Sequence, residues 1–497
     1  MQKFKYNLIA NIVGKIWSFV SIFLFVPFYI KFLSFEEYGI INFYTVILSF
    51  VLILDSGFSS VINREMSKEN SIETKGSFLK TIQSLYFIVF VGIILAFYFF
   101  SHYLAQNFLQ TNSIDLKRLG FIVFLMGISI SFNLLILFYN NVLLGLELQV
   151  KSNFYIIIWN FAKFALVIIP LYLYKNLETY FFWQIFINVI FFIIFYIISW
   201  NQFKIKSSIN FKLLINIRSF FLGILFLSLV STFNLQLDKL MVGKILELKE
   251  YSFFSIASMF SQISIFFATP IIITILPKLI KASEANDFQE KRKLFINFSL
   301  FIHIISIIIC MICIFYADNI IALWIDQTTS LYISSFVKFH IIGSLLMTFQ
   351  FVPFYLPIAM GHSQINAVSS FVSMIVYTCS LYIFIHKFML IGASISWIIL
   401  NSMGFLYSFY LIFRYLNYSV FKEWLIQLII IPLVIAIFSF LPIYLLSNCV
   451  NFQFDYMFIL NILISSILFI IGIIFYVKNK FPKIYSIVVL NLKISIK

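Results

Sequence analysis

The stretch Lys31-Phe-Leu-Ser-Phe-Glu-Glu-Tyr38 decides the fold, because it separates two long apolar runs and returns as Lys244-Ile-Leu-Glu-Leu-Lys-Glu-Tyr251. Lys, Leu, Glu and Tyr recur at a fixed offset of 213 residues. Polar positions in the flanking runs also match at this offset: Lys15 with Ser228, Ser18 with Ser231, Ser21 with Asn234, Asn42 with Ser255, Thr45 with Ser258, Ser49 with Gln262 and Ser56 with Thr269. This agreement predicts an ancient duplication, which is typical of membrane transporters.

Composition places the chain in a membrane. Of its 497 residues, 62% are hydrophobic and 11% are charged, whereas soluble domains carry about 25% charged residues. Apolar runs of about 20 residues recur along the whole length with short polar breaks, which is the pattern of spanning helices and not of barrel strands. The sequence therefore predicts an all-α polytopic membrane protein.

Fourteen spanning helices are predicted. They cover residues 8–30, 38–62, 81–101, 118–144, 154–174, 180–200, 219–243, 250–277, 294–316, 335–360, 367–386, 390–412, 425–446 and 456–477. With the N-terminus inside, 23 of the 34 Lys and Arg residues fall in cytoplasmic segments, as expected from the excess of positive charge in cytoplasmic loops. Both termini are therefore predicted to be cytoplasmic.

The repeat predicts two lobes. Six helices, an even number, separate the two copies, so both halves enter the membrane in the same direction and form a parallel repeat. Residues 1–212 are the predicted N-terminal lobe with helices 1–6, and residues 213–416 are the C-terminal lobe with helices 7–12. Residues 417–497 carry helices 13 and 14 and a basic cytoplasmic tail.

Polar side chains form matched stripes in the two halves. On a helical wheel, the polar residues of predicted helices 1 and 2 each fall in one arc, and their counterparts in helices 7 and 8 repeat the arrangement. Polar contacts that only join neighbouring helices are the alternative, but the repetition favours a central hydrophilic cleft. Its predicted lining residues are Asn11, Ser18, Asn42, Ser49 and Gln262. Pro27, Pro270, Pro353 and Pro357 are candidate hinges, because proline permits a bend.

Five charged residues lie within predicted helices: Lys15, Lys163, Lys239, Asp55 and Asp238. A charge at membrane depth costs at least about 2.5 kcal/mol, so each needs a partner, a water-filled cavity or a route to the surface. The three lysines are candidates for binding an anionic cargo, with snorkelling as the alternative. The two acids are candidates for binding a coupling H⁺ or Na⁺. A structural ion pair is the alternative, of Asp55 with Arg64 and of Asp238 with Lys239.

Motifs of soluble enzymes are missing from the sequence. No loop between predicted helices exceeds about twenty residues, and there is no GxxxxGK phosphate loop, Ser/His/Asp set or His-rich cluster. We therefore expect neither a catalytic site nor a bound metal or cofactor, apart from the coupling ion. His303 and His340 are expected to be hydrogen-bonded interior side chains.

Seven local sequences stand out along the chain: Asn11-Ile-Val-Gly-Lys-Ile-Trp17, Val26-Pro-Phe-Tyr-Ile30, Phe32-Leu-Ser-Phe-Glu-Glu-Tyr-Gly39, Leu54-Asp-Ser-Gly57, Leu237-Asp-Lys-Leu-Met-Val-Gly243, Leu276-Pro-Lys278 and Gly361-His-Ser-Gln364. Together they resemble the Wzx-type polysaccharide flippases of the multidrug/oligosaccharidyl-lipid/polysaccharide (MOP) exporter superfamily. The resemblance covers almost the whole chain and implies a MATE-like arrangement of helices.

What the resemblance implies is a flippase of a bacterial inner membrane. Its cargo would be an undecaprenyl-diphosphate-linked oligosaccharide, an O-antigen or capsule repeat unit, moved by alternating access. The cationic candidates Lys15, Lys163 and Lys239 would then bind the anionic head group, and a polymerase or chain-length protein of the same pathway would be a partner. A MATE-like multidrug exporter and a membrane enzyme of the same pathway, a polymerase or ligase, are the alternatives.

Overall fold

The fold is all-helical. The computed structural model describes residues 21, 23–67, 71–111, 114–203, 209, 212–449 and 457–482, and every regular element in these ranges is a helix. Twelve of the described helical segments are long and apolar enough to cross a membrane. The predicted all-α polytopic membrane fold is confirmed.

The helices follow one another with short connections. They are α1 (Phe23–Phe32), α2 (Phe35–Ser67), α3 (Ile72–Phe108), α4 (Leu116–Gly145), α5 (Gln149–Phe164), α6 (Ile168–Tyr174), α7 (Leu177–Trp200), α8 (Lys212–Ile245), α9 (Leu248–Ser261), α10 (Ile263–Glu284), α11 (Phe288–Trp324), α12 (Gln327–Phe349), α13 (Phe351–Ala359), α14 (Ser363–Tyr415), α15 (Tyr418–Lys422), a π-helical segment (Glu423–Ile430), α16 (Ile431–Cys449) and α17 (Met457–Lys480).

The twelve candidate spans correspond to predicted helices 2–14. The count differs because α14 contains two predicted helices that join at Met389, where the backbone leaves the helical region at φ 49° and ψ −125°. The helix α1 is the end of predicted helix 1, and the remainder of that helix lies outside the described residues.

Three predicted helices are broken, and two of the breaks directly precede a proline. Predicted helix 5 is divided between α5 and α6, helix 8 breaks at Gln262, and helix 10 breaks at Gln350. Pro170 is the third residue of α6 and Pro353 is the third residue of α13, and neither has an N–H to give the carbonyl four residues earlier. The break at Gln262 lies eight residues before the next proline, Pro270.

Side-chain caps fix where many helices begin. The residue before the helix accepts a hydrogen bond from a backbone N–H of the first turn, which satisfies one of the free donors there. These caps are Ser71 on α3, Asp115 on α4, Asn176 on α7, Asp287 on α11, Asp326 on α12 and Asn417 on α15.

The chain divides into two compact units, Met1–Ser255 and Ile256–Lys497. Within the first unit, α8 packs along α2, with the Phe50 and Phe233 rings 5.0 Å apart and the Phe58 and Phe221 rings 4.3 Å apart. This packing explains why α8, which starts the second copy of the repeat, belongs to the first compact unit. The predicted lobes 1–212 and 213–416 rest on the repeat and stay a prediction.

In the second unit, the position of Pro432 explains the hydrogen bond that the buried His303 makes to the backbone. Pro432 has no N–H to give the carbonyl of Leu428, four residues earlier. That carbonyl instead accepts a hydrogen bond from Nδ1 of the buried His303, at 3.0 Å. The π-helical segment directly precedes Pro432 and buries Trp424 against the His303 ring. His303 is therefore a hydrogen-bonded interior side chain, as the sequence predicts.

Candidate transport site

Lys163 is buried in a cage of aromatic rings. It lies in the last turn of α5, and 3% of its surface is exposed. Its ammonium nitrogen is 4.9 Å from the ring centre of Trp159, 5.6 Å from that of Phe164 and 5.8 Å from that of Tyr44. Each such contact stabilises a desolvated cation by about 0.5–2 kcal/mol. Among the described residues, no carboxylate lies within ion-pair distance of this ammonium.

A hydrogen-bonded chain holds the cage in place. Trp159 donates from its indole nitrogen to Oδ1 of Asn188 at 2.9 Å, and the Asn188 amide donates to Oγ and O of Ser129 at 3.1 Å. Ser129 Oγ in turn lies 3.0 Å from the Tyr44 hydroxyl. Helices α2, α4, α5 and α7 thus contribute one residue each, and two of the cage rings have fixed positions.

The break after α5 exposes three backbone carbonyls, and side chains satisfy all three. The Ala162 carbonyl accepts from the Trp183 indole at 3.0 Å, and the Lys163 carbonyl accepts from Gln184 at 3.0 Å. The Phe164 carbonyl accepts from the Tyr29 hydroxyl at 2.6 Å. Because the last carbonyls of a helix lack intrahelical donors, these contacts make a break possible at membrane depth. The negative end of the α5 dipole also favours a cation at this helix end.

Asp55 lies in a separate polar cluster. Its side chain on α2 is 8% exposed. Oδ1 accepts from the Tyr86 hydroxyl at 2.7 Å, and Oδ2 accepts from Ser59 at 2.6 Å and from the Asn141 amide at 3.4 Å. The side chain of Arg64, the partner considered from the sequence, is outside the described residues.

Asp238 and Lys239 are neighbours with different environments. The Asp238 side chain is 1% exposed, and its Oδ1 accepts from the backbone N–H of Lys239 at 2.7 Å. The Lys239 side chain is only partly buried. The sequence neighbours Asp238 and Lys239 lie on α8, and the Lys163 cage is built from residues of α2 and α5.

The stripe on α2 is polar but does not join helices. Asn42 donates to the Tyr38 carbonyl at 3.1 Å, Thr45 donates to the Asn42 carbonyl at 2.7 Å, and Ser49 donates to the Thr45 carbonyl at 2.8 Å. Thr45 is exposed, and Asn42 and Ser49 are partly exposed. These three donors thus turn back onto their own helix, and the role of the stripe in a transport path stays a prediction.

The corresponding stripe on α9 is more buried. Ser255 and Ser258 are buried, and Gln262 is partly buried at the break between α9 and α10. Gln262 donates to Ser258 Oγ at 3.1 Å. The two stripes match in sequence but differ in exposure. The remaining predicted residues, Asn11, Lys15 and Ser18, lie outside the described residues.

The two copies of the repeated turn touch each other. Ser252 Oγ donates to the Phe35 carbonyl at 2.5 Å, and the Phe35 and Phe253 rings are 5.0 Å apart. Gly39 allows this approach, because a Cβ there would lie 2.8 Å from the Leu248 carbonyl oxygen. The first turn also forms a capping box, in which Ser34 and Glu37 each accept a hydrogen bond from the other's backbone N–H.

An ion-pair cluster joins three helix starts beside the first turn. Arg118 on α4 donates to both carboxylate oxygens of Glu178 on α7, at 2.6 and 2.9 Å, and to Glu37 on α2 at 3.2 Å. A two-pronged Arg–carboxylate contact fixes orientation as well as distance. The cluster therefore stabilises one arrangement of α2, α4 and α7 at this end.

Sequence reasoning found the charged residues but missed their partners. The sequence did not predict the residues around the two charges. These are the cage residues Tyr44 and Trp159, the supporting residues Ser129, Gln184 and Asn188, and the Asp55 partners Ser59, Tyr86 and Asn141. The amides could have been found, because Gln184 and Asn188 are four residues apart in one predicted helix and so share a face. The aromatic residues carried no signal in a chain with 27 Tyr and 7 Trp.

The described residues form a polytopic helical membrane fold with charges buried among its spans, and solved structures show the same fold. The chain is similar to the lipid II flippase MurJ in an inward closed conformation, with a TM-score of 0.74, 17% identity and coverage of 95% of this chain and 98% of that one. It is also similar to a MATE transporter of Vibrio cholerae, with a TM-score of 0.60, 13% identity and coverage of 84% and 98%. A MOP superfamily transporter of Pyrococcus furiosus gives a TM-score of 0.57 at 11% identity, with coverage of 84% and 96%.

The sequence places the chain in a family. It belongs to the polysaccharide biosynthesis protein family, whose model matches residues 1–283. A relative named "Putative O-antigen transporter" from Shigella flexneri is 23% identical over 171 residues, which is 34% of this chain and 40% of that relative. The match therefore spans less than half of the relative's length. Family and fold agree with the resemblance to polysaccharide flippases.

Proposed function

We propose that this protein is a flippase that moves an undecaprenyl-diphosphate-linked oligosaccharide, an O-antigen or capsule repeat unit, across the bacterial inner membrane by alternating access. The family of polysaccharide biosynthesis proteins supports the pathway. The MurJ-like fold supports a transporter with the helices needed to carry a head group through the bilayer.

The Lys163 ammonium, which has no carboxylate partner among the described residues, carries this proposal. A buried cation without a carboxylate is costly, so an intramembrane charge of this kind is a functional candidate. A diphosphate is the complementary anion, since phosphate oxygens accept charge-assisted hydrogen bonds from lysine. In the described conformation the cage keeps Lys163 from solvent, so the cargo reaches it only when the cage opens during the cycle.

The same cage argues against the nearest alternative. A MATE-like exporter of cationic drugs would use free aromatic faces to bind a cation. Here the faces of Tyr44, Trp159 and Phe164 already surround the protein's own ammonium. The second alternative, a polymerase or ligase, predicts a long periplasmic loop with clustered Arg, His or Asp residues. The loops between the predicted helices of this chain are at most about twenty residues long.

The charge distribution supports an orientation with both termini in the cytoplasm. In that orientation the repeated turns Lys31–Tyr38 and Lys244–Tyr251 lie on the periplasmic side, and their contact helps to close the outer entrance. Reporter domains fused after Lys204 and after Lys291 are then expected to report cytoplasm, and one fused near Asp326 to report periplasm. The reversed pattern would overturn the orientation.

Deletion and complementation test the function. Cells without the gene are expected to lose surface polysaccharide and to accumulate lipid-linked repeat units on the cytoplasmic side, and a plasmid copy is expected to restore both. Repeat units that still reach the periplasm, in a strain without a second transporter of this family, would contradict the proposal.

A further inference from the structure

The Asp55 cluster joins three helices around one carboxylate. Tyr86 on α3 approaches Oδ1, while Ser59 on α2 and Asn141 on α4 approach Oδ2. Asn141 also donates to Ser59 Oγ at 3.0 Å. A carboxylate at this depth is costly unless it is paired or neutralised, so the nature of its surroundings decides what it binds.

The described groups around Asp55 are neutral. From α3 it faces Tyr86 and Val89, from α4 Leu134 and Asn141, and Phe221 on α8 packs on Phe58 beside it. Tyr86 is the one other titratable group among these described side chains. Among the described residues, no Lys, Arg or His lies within ion-pair distance of Asp55.

The ligand that fits this cluster is a proton. Hard metal cations in protein sites take about six or more oxygen ligands. Around Asp55, Ser59 and Tyr86 supply one hydroxyl oxygen each, Asn141 presents its NH₂ group, and the remaining lining is carbon from Leu54, Phe58, Val89 and Leu134. A proton needs none of these ligands, because it is held by the carboxylate itself.

Hydroxyl partners suit reversible protonation. A hydroxyl can donate to the ionised carboxylate and can turn to accept from the protonated acid. Tyr86 and Ser59 can therefore follow the change by rotating their O–H groups, whereas an arginine could only donate. We propose that Asp55 binds and releases the coupling proton of this transporter, taking it from water on one side of the membrane and returning it to water on the other. This proposal rests on the proposed function.

The same two helices carry the Asp55 cluster and the Lys163 cage. Asp55 and Asn141 join α2 to α4, and Tyr44 and Ser129 join the same two helices. On α2, Tyr44 and Asp55 are eleven residues apart, which is about 16 Å at about 1.5 Å per residue. Protonation weakens the hydrogen bonds to Asp55, because contacts to a charged acceptor are the stronger ones. A shift of α2 against α4 at Asp55 is thus carried to the Tyr44 ring of the cage.

Infrared spectroscopy of the purified full-length protein in lipid nanodiscs tests the proton site without requiring transport. The wild type is expected to show a protonated-carboxyl band that grows as the pH is lowered. Asp55→Asn is expected to lose one component of this band in the difference spectrum against the wild type, and Tyr86→Phe to shift the midpoint of that component. Glu290→Gln, at an exposed position, is the control and should leave that component unchanged. A band that titrates identically in Asp55→Asn, or one that Na⁺ removes at constant pH, would overturn the proposal.

Transport in proteoliposomes tests the coupling. With undecaprenyl-diphosphate-linked oligosaccharide as the probe, a pH gradient is expected to drive accumulation by the wild type, while Asp55→Asn only equilibrates the lipid. Accumulation by Asp55→Asn in a pH gradient, or accumulation by the wild type in a Na⁺ gradient alone, contradicts the proposal. A wild type that titrates at Asp55 but moves no lipid-linked oligosaccharide would instead contradict the proposed function.

Discussion

Lys163→Met is expected to lower export of lipid-linked oligosaccharide by roughly tenfold to a hundredfold. One charge-assisted contact to a diphosphate is worth about 1.5–3 kcal/mol, and about 1.4 kcal/mol corresponds to a factor of ten. Methionine is a suitable replacement, because its flexible apolar side chain fills the space of the lysine stem among Tyr44, Trp159 and Phe164. Flipping in proteoliposomes, normalised to the amount of inserted protein, measures the effect.

Lys163→Met is expected to keep or raise the stability of the protein, although it lowers transport. Replacing a buried, unpaired charge by an apolar side chain of similar size is often neutral or stabilising, so Lys163→Met should unfold in detergent at the same or a higher temperature than the wild type. Lys163→Arg keeps the charge and should retain part of the activity. A variant that loses stability along with transport would show that the cation is structural.

Lys151→Met is the matched control. Lys151 lies on the same helix, α5, but its side chain is exposed at the other end. The substitution is therefore expected to leave both transport and stability near wild-type values. Transport by Lys163→Met at the wild-type rate would assign the lysine to packing alone and remove the main support for an anionic cargo.

The sequence was sufficient for the class of fold, because the information is local. Apolar runs long enough to span a bilayer predict helices wherever they occur, and the described spans follow them. The broken helices were not predictable in this way. The break after Phe164 depends on Tyr29, Trp183 and Gln184, which reach its free carbonyls from other helices, and such contacts leave no trace in the pattern of α5 itself.

The candidate site was predictable only where its signal is also local in the sequence. Lys163 and Asp55 stand out because charge is rare in apolar runs. Whether a charge is paired, caged or open to water depends on helices that are distant in sequence, such as α3 for Tyr86 and α7 for Asn188. The repeat matched Asn42 with Ser255 in sequence but could not show that Asn42 is partly exposed and Ser255 buried.

Gly39→Val is expected to separate the two copies of the repeated turn and to reduce both stability and transport. A Cβ at Gly39 would lie 2.5 Å from Ser252 Oγ and 2.8 Å from the Leu248 carbonyl oxygen. The serine can rotate, but the carbonyl is part of the backbone of α9, so the turns must move apart. Overpacking of this kind costs about 1–3 kcal/mol, which the unfolding temperature in detergent should register.

Gly92→Val separates the effect of contact from that of helix propensity. Both glycines lie within helices, but a Cβ at Gly92 would meet no atom within 4 Å, so this variant should be as stable as the wild type or more so.

In Gly39→Ala the added Cβ meets the same two atoms, and Ser252→Ala in the same chain removes one of them. The double variant is therefore expected to regain part of the lost stability. If Gly39→Val matches Gly92→Val in unfolding temperature and transport, the turns are not in close contact in the working protein.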